Sequence, residues 1–349
     1  MRAMAVGFAL TVLFAGLLAS DRVVADSPSR VDILNAEDLA PLDGGNWVLA
    51  SSMLGGAQTQ GGIYVIDVRS GKAQAVYPNH EIVQSATTDC PAPVAAAAFA
   101  PHGIALFKSA KGETLLYVVN HGGRESVEMF AVEQQHDAPT LSWRGCIVVP
   151  AGGFGNAVAV VHDAIANDDI VYMTNMGKPL DGSAPVSPLG GNVLAWTAAK
   201  GWRDVPGSEI AAPNGLLVAG DGRVLYVASW TQGEVVRLTL KPAGVTRDVL
   251  KISLLPDNLR WSSDGSIFAT GHHATVAAVT DCFMTKGRCE KTIPSAMTKI
   301  DAKTFAVRCA VDIDQSMATT TVNVGDELWI GTARGETVLR KPGSALTCN

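Results

Sequence analysis

Acidic and amide residues recur along this chain at the openings of successive strand-like units. They are Glu37 in A-E-D-L, Asn156 in G-F-G-N, Asn214 in A-P-N-G-L, and Asp257 with Asn258 in L-P-D-N-L. Each is followed by an apolar run, a Gly-rich or Asp-Gly turn, and a second run rich in Val, Ile, Tyr and Trp. Glu37 and Asp257 carry a formal charge of −2, and with three amide oxygens they form the hard-oxygen donor set that calcium favours. The spacing suggests one metal site assembled from several repeats, with positions left for substrate and water.

The histidines supply a second kind of chemistry. His102, in P-H-G-I at 101–104, opens an apolar run, and His121, in V-V-N-H at 118–121, closes one. A neutral imidazole that titrates near the operating pH suits general-base work. His272 and His273 stand side by side in G-H-H. His136 lies in the polar loop E-Q-Q-H-D and reads as solvated, and His162 in V-V-H-D reads as structural. His80 begins H-E-I-V-Q, which lacks the second histidine of a helical zinc-protease pair. There is no G-x-S-x-G elbow, phosphate loop or dinucleotide fingerprint, so covalent serine catalysis is disfavoured.

These residues need a frame of short strands. Examples are the runs starting at Gly62, Thr114, Gly222 and Asp326, and sustained amphipathic helical periodicity is scarce. The 349 residues exceed the usual size of one compact domain, yet no charged or Pro/Ser-rich linker divides them. Unit openings fall near Glu37, His102, Asn156, Asn214, Asp257 and Ser316, in steps of 43 (Asn214 to Asp257) to 65 residues (Glu37 to His102). Such steps fit four-stranded propeller blades with variable loops. The expected fold is all-β, a six-bladed β-propeller with a central metal-binding channel. The alternative is a seven-bladed ring with another blade between Met176 and Trp202.

Residues 1–25 read as a secretory signal peptide, with Arg2, an apolar stretch from Ala3 to Ala19, and Val23-Val24-Ala25 before Asp26. Residues 26–349 then form the single propeller domain, with no membrane span after processing and a periplasmic or secreted location. The formal net charge of −6 argues against nucleic acid as a partner. Cys90, Cys146, Cys282, Cys289, Cys309 and Cys348 form an even set, so disulfides are expected. Local spacing favours Cys282 with Cys289, and the other expected pairs are Cys90 with Cys146 and Cys309 with Cys348.

P-H-G-I, V-V-N-H and E-S-V-E-M-F at 125–130 together resemble the paraoxonase/arylesterase family of calcium-dependent lactonases. That family consists of six-bladed propellers related more distantly to gluconolactonases and strictosidine synthases. The resemblance extends through A-E-D-L, G-N-A-V-A-V at 155–160, P-N-G-L at 213–216 and D-N-L at 257–259, ending near G-H-H. It implies that Glu37, Asn156, Asn214, Asp257 and Asn258 hold a catalytic calcium, and that His102 and His121 form a pair that activates water. His272 matches a third pocket histidine, with His273 as a competitor. Asp38 matches a ligand of a second, structural calcium, but the position after Asn156 that completes that site is Ala157, which leaves the second ion open.

The implied activity is hydrolysis of small-molecule lactones or aryl esters, with loops such as Met176 to Gly191 setting substrate choice. The alternatives are a sugar lactonase of the gluconolactonase type and a non-catalytic ligand-binding propeller. Thiol titration of the unfolded, unreduced protein is expected to find essentially no free thiol, whereas six free thiols would overturn both the pairing and the compartment.

Overall fold

The computed structural model describes residue 1 and residues 29–56, 58–78, 90–134, 138–164, 167–177, 190–220, 222–285 and 289–346. The expected signal peptide, His80, His136, Cys348 and most of the Met176–Gly191 segment lie outside these residues. Among the described residues the chain builds six antiparallel sheets, five of four strands and one of five, each following chain order from its inner strand outward except that the sixth takes its outer strand from Arg30–Asp32. The seven-bladed alternative is thereby set aside.

The blades open with the strands Ala36–Pro41, Pro101–Lys108, Gly155–Asp163, Pro213–Val218, Leu255–Trp261 and Ala318–Val324. All six expected openings fall in these strands or, for Ser316, two residues ahead. The opening strands of neighbouring blades touch one another in a closed ring. Arg30–Asp32 pairs with Thr337–Leu339, so the start of the chain supplies the outer strand of the sixth blade.

Position within a blade explains composition. The second strand of the second blade, Thr114–Asn120, is sandwiched between neighbouring blades and reads as the nearly continuous apolar run T-L-L-Y-V-V-N. The outermost strand of the fourth blade, Gly244–Lys251, is mostly exposed and carries Arg247, Asp248 and Lys251. Charges on such an edge discourage pairing with another chain. Between blades one and two, Tyr77 meets Phe99 and Phe130 edge-on at 4.8 and 4.6 Å. Cys90–Cys146 ties the same region, with Cα atoms 5.7 Å apart. Cys282–Cys289 is also bonded, and Cys309 is disulfide-bonded, its expected partner Cys348 being outside the described residues.

One irregularity repeats in every blade. The ladder between the first and second strands shifts register near the start of each opening strand, between Ala36 and Asp38, Pro101 and Ile104, Gly155 and Val158, Pro213 and Leu216, Pro256 and Leu259, and Ala318 and Thr320. Such bulges re-aim side chains. Here they fall at Glu37, His102, Asn156, Asn214, Asp257 with Asn258, and Thr319. Backbone groups freed by the shifts find partners on adjacent strands. Thr319 Oγ1 donates to the Glu37 carbonyl at 2.6 Å, and Thr174 Oγ1 accepts from the Ala157 N–H at 2.9 Å while donating to the Asn214 carbonyl at 2.7 Å.

The glycines of P-H-G-I and P-N-G-L answer to this crowding. A Cβ on Gly103 would overlap the Asn156 carbonyl, and one on Gly215 would overlap the Asp257 carbonyl and approach the Leu259 nitrogen to 2.5 Å. Gly215→Ala is therefore expected to destabilise the fold by about 1–3 kcal/mol, the scale of forced overpacking. An unchanged urea midpoint in the variant would contradict this close approach.

Candidate active site

Five of the six bulged openings converge on a cavity of about 440 Å³. Glu37, His102, Asn156, Asn214 and Asp257 form its polar floor, and Phe154, Met176, Trp230, Phe283 and Met284 its apolar walls. The floor residues come from five different blades, so only the closed ring assembles them.

The floor is short of positive charge. Glu37 Oε1 accepts from Asn258 Nδ2 at 2.6 Å. Glu37 Oε2 and the side-chain oxygens of Asn156, Asn214 and Asn258 are buried with no hydrogen-bond partner among the described residues. An orphaned buried acceptor costs about 1–3 kcal/mol, so four around one floor call for a shared partner. Burial, reinforced by Asp38 and Asp257, pushes the Glu37 carboxyl well above its ordinary range. Burial likewise lifts Asp257 to about 8, opposed by a hydrogen bond from Asn214. A hard divalent cation would relieve the orphaned oxygens and the crowded carboxylates together, and the donor set fits calcium.

The histidines form a chain. His102 Nδ1 lies 2.9 Å from His121 Nε2, and His121 Nδ1 lies 2.9 Å from Glu125 Oε2. Phe154 stacks on the His121 ring, centroids 4.3 Å apart and planes 8° from parallel. Asn120 shapes the connecting loop, its Nδ2 donating to the Gly122 and Arg124 carbonyls at 2.9 and 2.8 Å. Glu125 Oε1 also accepts the Gly155 N–H at 2.8 Å, linking the chain to the strand that carries Asn156. A carboxylate receiving His121 Nδ1–H leaves His121 Nε2 as an acceptor. That acceptor places the His102 proton on Nδ1 and leaves His102 Nε2 bare, 3.9 Å from Glu37 Oε1. Burial first, then His121 and Arg334, lowers His102 to about 3, so its ring is neutral at physiological pH, although it titrates well below the operating pH expected of it from sequence.

Of the paired histidines at 272 and 273, His272 is the one turned inward. It is fully buried behind the floor, its Nδ1 accepting from Trp230 Nε1 at 3.4 Å and its Nε2 lying 3.7 Å from Asp257 Oδ2. Burial lowers it to about 4. His273 is exposed near Asp312, and His162 bonds Asp169 at 2.8 Å away from the floor. Asp38 sits below the floor, and its carboxylate meets Arg260 and the Ile104 N–H.

Glu125 is a site residue that sequence reasoning passes over. Its signal was its place four residues after His121, at the head of E-S-V-E-M-F. The helix Val276–Met284, which brings Thr280, Phe283 and Met284 to the cavity, was also not foreseen. Nine residues are too few for a sustained helical period to stand out.

The arylesterase family model matches residues 53–286. Comparison with curated proteins finds no match. Among solved structures the chain is similar to a luciferin-regenerating enzyme at 12% identity and TM-score 0.53, covering 89% of this chain and 92% of that one. A protein assigned as a gluconolactonase is 14% identical at TM-score 0.52, covering 89% and 90%. The calcium-binding protein regucalcin from Agrobacterium tumefaciens is 12% identical at TM-score 0.50, covering 90% and 94%. At these identities the structures share the fold.

The raised carboxylates set a pH dependence for metal-free protein. Above pH 6.5, the ordinary histidine value, His272 is neutral folded and largely neutral unfolded, so the buried carboxylates dominate. Asp257 holds its proton up to about 8 when folded and only to about 4 when unfolded. The folded state thus binds more protons, and stability is lost as pH rises through this window. In chelator the urea midpoint is expected to fall between pH 6.5 and 8.5. A flat profile would show that the floor carries no such buried charge.

Proposed function

The chain belongs to the arylesterase family, and on that premise we propose that it is an exported, calcium-dependent hydrolase of apolar lactones and aryl esters. In general terms, membership makes it a hydrolase of esters or lactones. The observation that carries the finer reading is the ring of orphaned buried oxygens beside a bare His102 Nε2 in one apolar cavity.

Glu37, Asn156, Asn214, Asp257 and Asn258 would hold the calcium, with His272 packed behind Asp257 to orient it. Calcium bound there supplies Lewis-acid polarisation of the scissile carbonyl. Phe154, Trp230, Phe283 and Met284 exclude water and receive the apolar acyl or aryl part. His102 Nε2 accepts the proton of the attacking water while the water oxygen bonds to the carbonyl carbon. His121 and Glu125 keep that nitrogen bare and steady the charge that His102 gains. The acyl C–O bond then breaks, and His102 returns the proton to the departing alkoxide or phenoxide.

The cavity walls weigh against the sugar-lactonase alternative. Sugar hydroxyls buried against aromatic rings and Met side chains would lose hydrogen bonds to water without replacement. Export is supported by the disulfides Cys90–Cys146 and Cys282–Cys289, which persist in oxidising compartments. No helix among the described residues is long and apolar enough to cross a membrane.

A panel of phenyl acetate, alkyl lactones and sugar lactones, each with and without chelator, tests this reading. Chelator-sensitive turnover of the first two is expected. Preference for sugar lactones would favour the alternative enzyme, and no turnover at all would favour a ligand-binding propeller. His102→Gln is expected to lower kcat by about a hundredfold or more, the scale of general-base catalysis, with calcium content and melting temperature unchanged. Glu125→Gln, acting through His121, is expected to lower kcat less and leave KM in place. A fully active, calcium-loaded His102→Gln enzyme would remove His102 from the base role.

A further inference from the structure

We infer that the guanidinium of Arg260 is a built-in cation that takes the place of a second metal ion beneath the active-site floor. The Asp38 carboxylate is fully buried, and both of its oxygens are engaged. Oδ1 accepts from the Leu39 N–H at 2.9 Å, and Oδ2 accepts from the Ile104 N–H at 2.8 Å and from Arg260 Nη2 in a short charge-assisted bond. The same Nη2 donates to the Ile104 carbonyl at 3.1 Å, while Nη1 donates to the Leu259 carbonyl at 3.0 Å and Nε to the Leu39 carbonyl at 3.4 Å. One guanidinium therefore gathers a carboxylate and three carbonyls from the opening strands of blades one, two and five.

Asp38 and the position after Asn156 are where the family resemblance would put a second calcium, and the residues present do not fit one. The position after Asn156 is Ala157, which offers no donor. The Gly103 backbone runs against Ala157, so this residue stands beside Ile104, and Asp169, a carboxylate on the next strand of the same blade, is engaged with His162 instead. Arg260 itself occupies the oxygens that remain. Charge points the same way. Glu37, Asp38 and Asp257 are buried together, and Arg260 offsets one of the three carboxylates. The two left over match one divalent ion on the floor.

The test is metal stoichiometry together with a paired substitution. Full-length protein dialysed against saturating calcium is expected to hold one equivalent per chain. Two equivalents would overturn the inference. None would support it while sinking the calcium reading of the active site, so the two failures are told apart. Breaking a buried ion pair from one side is costly, so Arg260→Met is expected to lower the melting temperature in chelator by roughly 5–10 °C. Adding Asp38→Asn to the same chain removes the unpaired buried charge and is expected to recover part of that loss, one of the two N–H groups that Asp38 accepts being left without an acceptor. Arg260→Met melting like wild type would overturn the inference. Should that variant fail to fold, Arg260→Ala with Ala157→Asp restores the missing donor and vacates the oxygens, and is expected to bind a second equivalent of calcium. The wild-type count decides the question even if neither variant folds.

Discussion

Six breaks in register at the openings of the inner strands are the constraint on which this molecule turns. A regular strand would send alternate side chains to its two neighbouring blades and leave none directed at the axis. The shift beside Glu37, His102, Asn156, Asn214 and Asp257 gives five of the six blades a position where a side chain meets the cavity. Broken ladders expose backbone groups, and Thr174, Thr319 and Asp38 take them up. The small residues Gly103 and Gly215 follow from the same crowding, because the inner strands approach too closely there for a side chain.

Convergence concentrates negative charge where water cannot screen it. The molecule treats the three axial carboxylates differently. Asp38 receives a guanidinium and two backbone N–H groups, whereas Glu37 and Asp257 are left with amide partners and raised proton affinity. The histidine chain stands to one side of this charge, anchored at its far end by Glu125 rather than by the floor carboxylates. A single side chain, Glu125, therefore fixes ring orientation through two imidazoles and grips the strand bearing Asn156 through Gly155.

Much of this was legible in the chain. The openings from Glu37 to Ser316 locate the inner strands because a propeller repeats its punctuation once per blade. The oxygen set stands out because polar residues at the head of an apolar run need a reason to be there, whereas the pairing of His102 with His121 came from the family resemblance of P-H-G-I and V-V-N-H. The spacing of Cys282 and Cys289 favoured the pair that the structure bonds. Arg260 was not legible, since an arginine following D-N-L looks like any strand residue until Asp38, 222 positions earlier, is seen beside it. Glu125 was hidden similarly, because its contact with His121 depends on a loop that Asn120 folds back. The helix Val276–Met284 contributes walls rather than chemistry, and apolar side chains carry no mark that separates a pocket from a core.

The closure of the sixth blade has a consequence in time. Arg30 and Thr337 lie 307 residues apart in the chain, yet their side chains meet across the same sheet. The first described strand to leave the ribosome thus waits for the last to arrive, and contacts of such long sequence separation slow folding. Until they form, the inner strands can stack but the circle stays open. Once they form, the first and last of the described strands are neighbours and the circle no longer has a first blade. A chain joined at that seam and opened in another blade would deliver the same ring to its surroundings in a different order of birth.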